Sequence, residues 1–274
     1  MKAYIKQGWR LAVKHFYIVI LLFVYQLIWG FFLYRFVNSI VVPLLQRYPD
    51  TYPSEAAIRH FLAEAQFQLF KTDLIHPYLW LFGAALLVRM LLTPLFNAGL
   101  FHSLRHAADE SGTQFISGIR KTWKPVMLLY WCGALLSIAP AWWLLPRGLE
   151  ALLTSPSPGE LAQRTLPYAA LWLLWILIVY LLFLAMQFGV VSGSGIAPAL
   201  LRAVRHFLPF AGISLLMWGI GAAMNLLATS VSMIWAGLFA LILHQGFYLV
   251  RTLVRVWTFG SQYVCWQSSR HISS

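Results

Sequence analysis

The chain has 274 residues, of which 60% are hydrophobic and only 10% charged, with a mean hydropathy of +0.71. A soluble domain carries about 25% charged residues, so this chain has too little charge to cover a water-facing surface, and its solvent must be largely lipid. The net charge of +12 would suggest nucleic acid in a soluble protein, but no motif that reads RNA or DNA accompanies it. The basic residues read instead as flanks of membrane spans.

In chain order, the first element is a short basic amphipathic segment, GWRLAVKHF, with Arg10 and Lys14 four residues apart on one helix face. It enters an apolar run that gives the first span, about 16–37. No small-residue cleavage site follows, so the run is expected to be an uncleaved signal anchor. An outer segment comes next, in which Pro53-Ser54-Glu55 reads as a helix start. Ile58, Phe61, Leu62, Ala65 and Leu69 then recur at helical spacing. An amphipathic helix over about 54–70 is expected there. The second span, about 78–101, ends in LFNAGLF.

A second basic entry, GIRKTWKPV, holds Arg120, Lys121 and Lys124 and leads into span three, about 126–145. Pro140 within that span predicts a kink and a freed carbonyl near Leu136. Span four, about 168–191, ends in AMQFGVV. The run SGSG at 192–195 reads as a flexible linker into the third entry, LLRAVRHFL, with Arg202, Arg205 and His206. Span five, about 207–227, and span six, about 232–257, form a tight hairpin. The return of the last hairpin ends in WTFGSQY.

The chain thus reads as one all-α transmembrane domain over residues 1–274. It has six spans in three hairpins, each entered by a basic amphipathic helix, and each return carries a polar-x-Gly step at Gly99, Gly189 or Gly260. Small residues at equivalent depths let helices approach closely. Thirteen Lys and Arg fall on the side of the termini and five on the other, which puts both termini in the cytoplasm of a multi-pass cell-membrane protein.

The stretch TPLFNAGLFHSLRHAADESGTQFISGIRKTWKPV has a span ending in Pro-x-x-x-x-Gly, a polar linker, and a basic helix leading into the next span. Through it and the hairpin rhythm the chain resembles uncharacterised bacterial six-helix membrane proteins, including the membrane-domain group named after glycerophosphoryl diester phosphodiesterases. The resemblance implies a helical membrane bundle and carries over no catalytic residue, because no segment is long enough to hold the phosphodiesterase domain.

Chemistry-bearing residues are few. Arg89 lies mid-span without an acid in any of the six spans, where Arg costs about 2.5–3.5 kcal/mol. With Asn225 and His244 it makes a candidate substrate- or lipid-binding set. Arg10, Lys14, Arg120, Lys121, Lys124, Arg202 and Arg205 form the inner-surface basic contacts, which anionic lipids attract by about 1 kcal/mol each. His102 and His106 share a face at i, i+4 spacing but have no obvious third metal ligand, and the two cysteines, Cys132 and Cys265, form no CxxC pair. No HExxH, GxSxG, P-loop or GxGxxG is present.

The expected function is a non-enzymatic accessory subunit or lipid-interacting scaffold, with no cofactor or metal. Its partners are the bilayer, anionic lipids and a membrane protein, not nucleic acid. The alternative is a permease or lipid/small-solute transporter using Arg89 and the polar residues of spans five and six.

Overall fold

The structure, a computed structural model, describes residues 1–45, 75–106, 114–154, 158–234 and 238–272. Among these residues every element is a helix: α1 Lys2–Lys14, α2 Phe16–Leu45, α3 Ile75–Arg105, α4 Gln114–Ile138, α5 Ala141–Thr154, α6 Pro158–Val191, α7 Ile196–Arg205, α8 Phe207–Ile234 and α9 Leu238–Ile272. Five stretches of them are long and apolar enough to cross a membrane: Phe16–Ser39, Leu79–Arg105, Gln114–Ala151, Gly159–Val191 and Phe207–Val231. The expected sixth span, about 232–257, takes in residues 235–237, which lie outside the described residues, as does the whole expected outer helix at about 54–70.

The chain divides into two units. One is Leu21–Thr93 and the other joins Met1–Ile20 to Pro94–Ser274. Within the smaller unit, Phe36 of α2 and Phe82 of α3 stack with ring centres 5.6 Å apart. Large apolar side chains such as Ile28, Phe31, Tyr34 and Trp80 point outward. In water such a surface would be untenable; facing acyl chains it costs nothing.

The larger unit holds an extensive buried core among the described residues. Its centre is aromatic and lies where α3, α6 and α9 meet. Phe101 packs edge-on to Phe188 with centroids 4.8 Å apart and to Phe259 at 5.4 Å, and Phe188 meets Tyr263 at 5.4 Å. Edge-to-face pairs of this kind contribute roughly 0.5–1.5 kcal/mol each beyond their buried area. Leu100, Leu181, Ile213 and Val256 fill the space around them and are almost wholly buried.

Hydroxyls in these helices are satisfied locally. Ser103 donates to the Gly99 carbonyl, Thr122 to Gly118, Ser137 to Gly133, Ser214 to Phe210 and Thr258 to Val254, all at i−4. In an apolar solvent this is the cheapest way to satisfy a hydroxyl without breaking the backbone ladder.

Pro140 does more than kink its span. The helix ends at Ile138 and restarts at Ala141. Proline has no N–H to offer the Leu136 carbonyl, and the Trp175 indole of α6 donates there instead at 2.9 Å. Trp172 donates to the neighbouring Ser137 carbonyl at 3.0 Å. At this far end of the unit Arg147 lies over the Trp143 ring at 3.6 Å, and Arg164 pairs with Glu160 at 3.2 Å. That last pair is exposed and contributes little.

Candidate functional site

The basic segments collect at one end of the larger unit, and small residues put them there. α1 buries Gly8 and Ala12, α7 buries Ala199 and Ala203, and the start of α4 buries Gly118. Each of these faces sits against the glycine step of a different long helix. A Cβ on Gly118 would strike His102 of α3, and one on Gly99 would stand 2.7 Å from the Phe115 ring of α4. A Cβ on Gly189 of α6 would strike Ala199 of α7. A Cβ on Gly8 would strike Ser261 of α9, and one on Gly260 would lie 3.0 Å from the Gly8 carbonyl oxygen.

The first return therefore seats the second entry, the second return seats the third entry, and the third return seats the first. The first and last of the described helices, α1 and α9, thus meet at this end. α1 is further fixed by the Tyr4 and Ser268 hydroxyls at 2.8 Å, by the Trp257 indole donating to the Ile5 carbonyl at 2.9 Å, and by Trp9 edge-on to Trp257 at 5.0 Å.

Two of the entries break from their spans in the same way. α1 ends at His15 with φ −100° and ψ 36°, and α7 ends at His206 with φ −112° and ψ 33°. The second entry runs unbroken through Pro125 into its span. The basic side chains point away from the small-residue contacts: Arg10, Lys14, Arg120, Lys121, Lys124 and Arg205 are all exposed.

Arg202 differs from that set. It is half-buried, its guanidinium lies 5.0 Å above the Trp266 ring, and its Nε donates to the Pro198 carbonyl at 3.2 Å. Part of its charge is therefore directed into the protein rather than outward.

The 192–195 segment is ordered rather than a flexible linker. Gly193 takes φ +74°, its N–H bonds the Val190 carbonyl, and the Ser194 N–H reaches back to Gly189. This is the paired closing turn that satisfies a helix C-terminus, and it needs a residue that tolerates the left-handed region. Arg105 of α3 completes it by donating to the Val191 carbonyl at 2.7 Å, where the helix dipole favours a cation.

The mid-membrane set falls on two different units. Arg89 lies in the smaller unit with its side chain exposed, and Thr93 donates to its carbonyl at 2.7 Å. Asn225 lies on α8 in the larger unit, also exposed. A Cβ on Gly221 would stand 3.7 Å from Val254. This antiparallel register puts Asn225 level with residue 250. His244 is thus six residues, about 9 Å, further along α9, and its side chain lies outside the described residues.

The His102 and His106 rings stack with centroids 4.3 Å apart, and the His106 Nδ1 lies 3.1 Å from the His102 carbonyl oxygen. Among the described residues no three His, Cys, Asp or Glu side chains converge. Cys132 and Cys265 are both free thiols, and burial pushes Cys265 up to about 11, so it stays protonated at neutral pH.

One open cavity stands out in the larger unit. A groove of about 470 Å³ runs between α1, α8 and α9, and Trp9, Met224, Leu253, Trp257, Lys2 and Lys6 are among the residues that line it. Lys2 and Lys6 are two of the thirteen Lys and Arg on the side of the termini. Their i, i+4 spacing was the available signal, but the apolar wall beside them comes from helices more than 200 residues away. Compared with protein-family models, curated proteins and solved structures, the chain matches none.

Proposed function

We propose that the protein is a non-enzymatic integral protein of the cytoplasmic membrane, with both termini in the cytoplasm, acting as an accessory subunit or a lipid-interacting scaffold. One observation supports this reading above others. The entry helices bury their small residues against the return glycines and leave Arg10, Lys14, Arg120, Lys121, Lys124 and Arg205 exposed at one end. A ring of cations at a membrane surface attracts anionic headgroups or an acidic partner. The resemblance to the uncharacterised six-helix membrane group fits this role.

A permease or lipid/small-solute transporter is the second reading, favoured by the exposed Arg89 in the middle of α3. Native mass spectrometry of protein released gently from its own membrane separates the two. The scaffold reading expects a bound protein partner or anionic lipid that is lost when Arg120, Lys121 and Lys124 are changed to Gln and kept in Arg89→Ala. The transporter reading expects a bound solute or lipid lost in Arg89→Ala alone.

A further inference from the structure

We infer that the groove between α1, α8 and α9 is a binding site for one anionic glycerophospholipid, its acyl chain against Trp9, Met224, Leu253 and Trp257 and its phosphate held by Lys2 and Lys6. This rests on the lipid-interacting reading above and places one specific site within it.

The groove has the volume of an ordinary small-ligand site. Its walls are almost wholly apolar, so neither a sugar nor a free nucleotide would find partners there. Lys2 and Lys6 stand one helical turn apart on α1, both exposed, and neither is paired with a carboxylate among the described residues. Lysine stems lie along apolar surface while their ammonium groups reach for the polar boundary.

α1 is pinned across α9 by Gly8, Tyr4 and the Trp257–Ile5 bond. The lysine pair is therefore held at a fixed place beside the groove rather than on a free terminus. An apolar slot with two lysines in its lining complements an acyl chain with an anionic phosphate at its end. A zwitterionic lipid would gain the slot but would bring its own cation to the lysines.

The test is native mass spectrometry of delipidated full-length protein titrated with phosphatidylglycerol or with phosphatidylcholine of the same acyl chains. We expect one tightly bound phosphatidylglycerol, weakened about tenfold or more in Lys2→Gln/Lys6→Gln and also in Met224→Trp, which fills the slot. Lys14→Gln/Lys124→Gln should leave it in place. Equal binding of phosphatidylcholine, or an unchanged single lipid in Lys2→Gln/Lys6→Gln, would overturn the site. If Lys2→Gln/Lys6→Gln is silent but the Arg120, Lys121 and Lys124 substitutions abolish binding, this site fails and the lipid scaffold stands. If no variant or wild type prefers phosphatidylglycerol, both fail.

Discussion

Gly189 and Ala199 lie so close that a side-chain carbon on the glycine would occupy the alanine's place. Nine residues of chain lie between them, and those residues contain the ordered turn at Gly193 and the start of α7. The pairing is one of three: α4 sits on α3, α7 on α6, and α1 on α9. Close backbone approach of this kind is how helices associate where lipid removes the hydrophobic drive between them.

Enlarging a seat should loosen the bundle. Gly189→Val overpacks the contact with Ala199, and we expect it to lower stability by about 1–3 kcal/mol. Gly219 has open space around it, so Gly219→Ala should be neutral or stabilising by up to about 1 kcal/mol through helix propensity. Thermal denaturation in detergent compares the two.

The break at Pro140 is bridged by a tryptophan. Trp175→Phe leaves the Leu136 carbonyl without its indole donor and should cost about 1 kcal/mol. Pro140→Ala restores an N–H at the position that would serve that carbonyl. In that background the same Trp175 substitution should cost distinctly less, and a double-mutant cycle in denaturant reads the difference.

Deep in the larger unit, Gln262 Nε2 donates to the Ser214 hydroxyl at 2.9 Å, and both side chains are fully buried. Ser214→Ala strands the amide and should destabilise by about 1–3 kcal/mol. Removing the amide as well, with Gln262→Met, should recover part of that loss, so the double variant will be more stable than the sum of the singles. Equilibrium unfolding of the four proteins tests it.

His15, at the hinge between α1 and α2, sits below its usual 6.5, first because burial disfavours the imidazolium and then because Lys14 repels it. A base with a depressed folded pKa takes its proton more readily when unfolded. The stability it contributes is complete above pH 6.5 and declines as pH falls through that value toward the folded pKa. His15→Gln should therefore reduce the loss of thermal stability between pH 7.5 and pH 5.5, measured against the wild-type chain.

The sequence revealed much of this end of the molecule and little of how it closes. Apolar run lengths found the five long apolar helices, and the basic entries and glycine steps were visible as short repeated patterns. Pro140 announced its own break because the missing N–H is a property of the residue. The donors that repair the break did not show, since Trp172 and Trp175 are more than 30 residues away and look like any aromatic in a span.

The same distance hid which glycine receives which entry, because small residues advertise close approach but not their partner. Arg202 read as another outward cation. Its placement over Trp266 depends on the turn at Gly193 aiming α7 across α9, and that turn looked in the sequence like a plain linker.

The closure of the first entry helix on the last return helix is the central claim, and short-range cross-linking tests it most directly. In a background with Cys132→Ala and Cys265→Ala, Tyr4→Cys and Ser268→Cys should be bridged in high yield within one chain by a short bifunctional thiol reagent. Tyr4→Cys paired with Ser117→Cys, on the second entry, should not. Bridging of Tyr4→Cys to position 117 as efficient as to 268, or no bridging to 268 at all, would contradict the account.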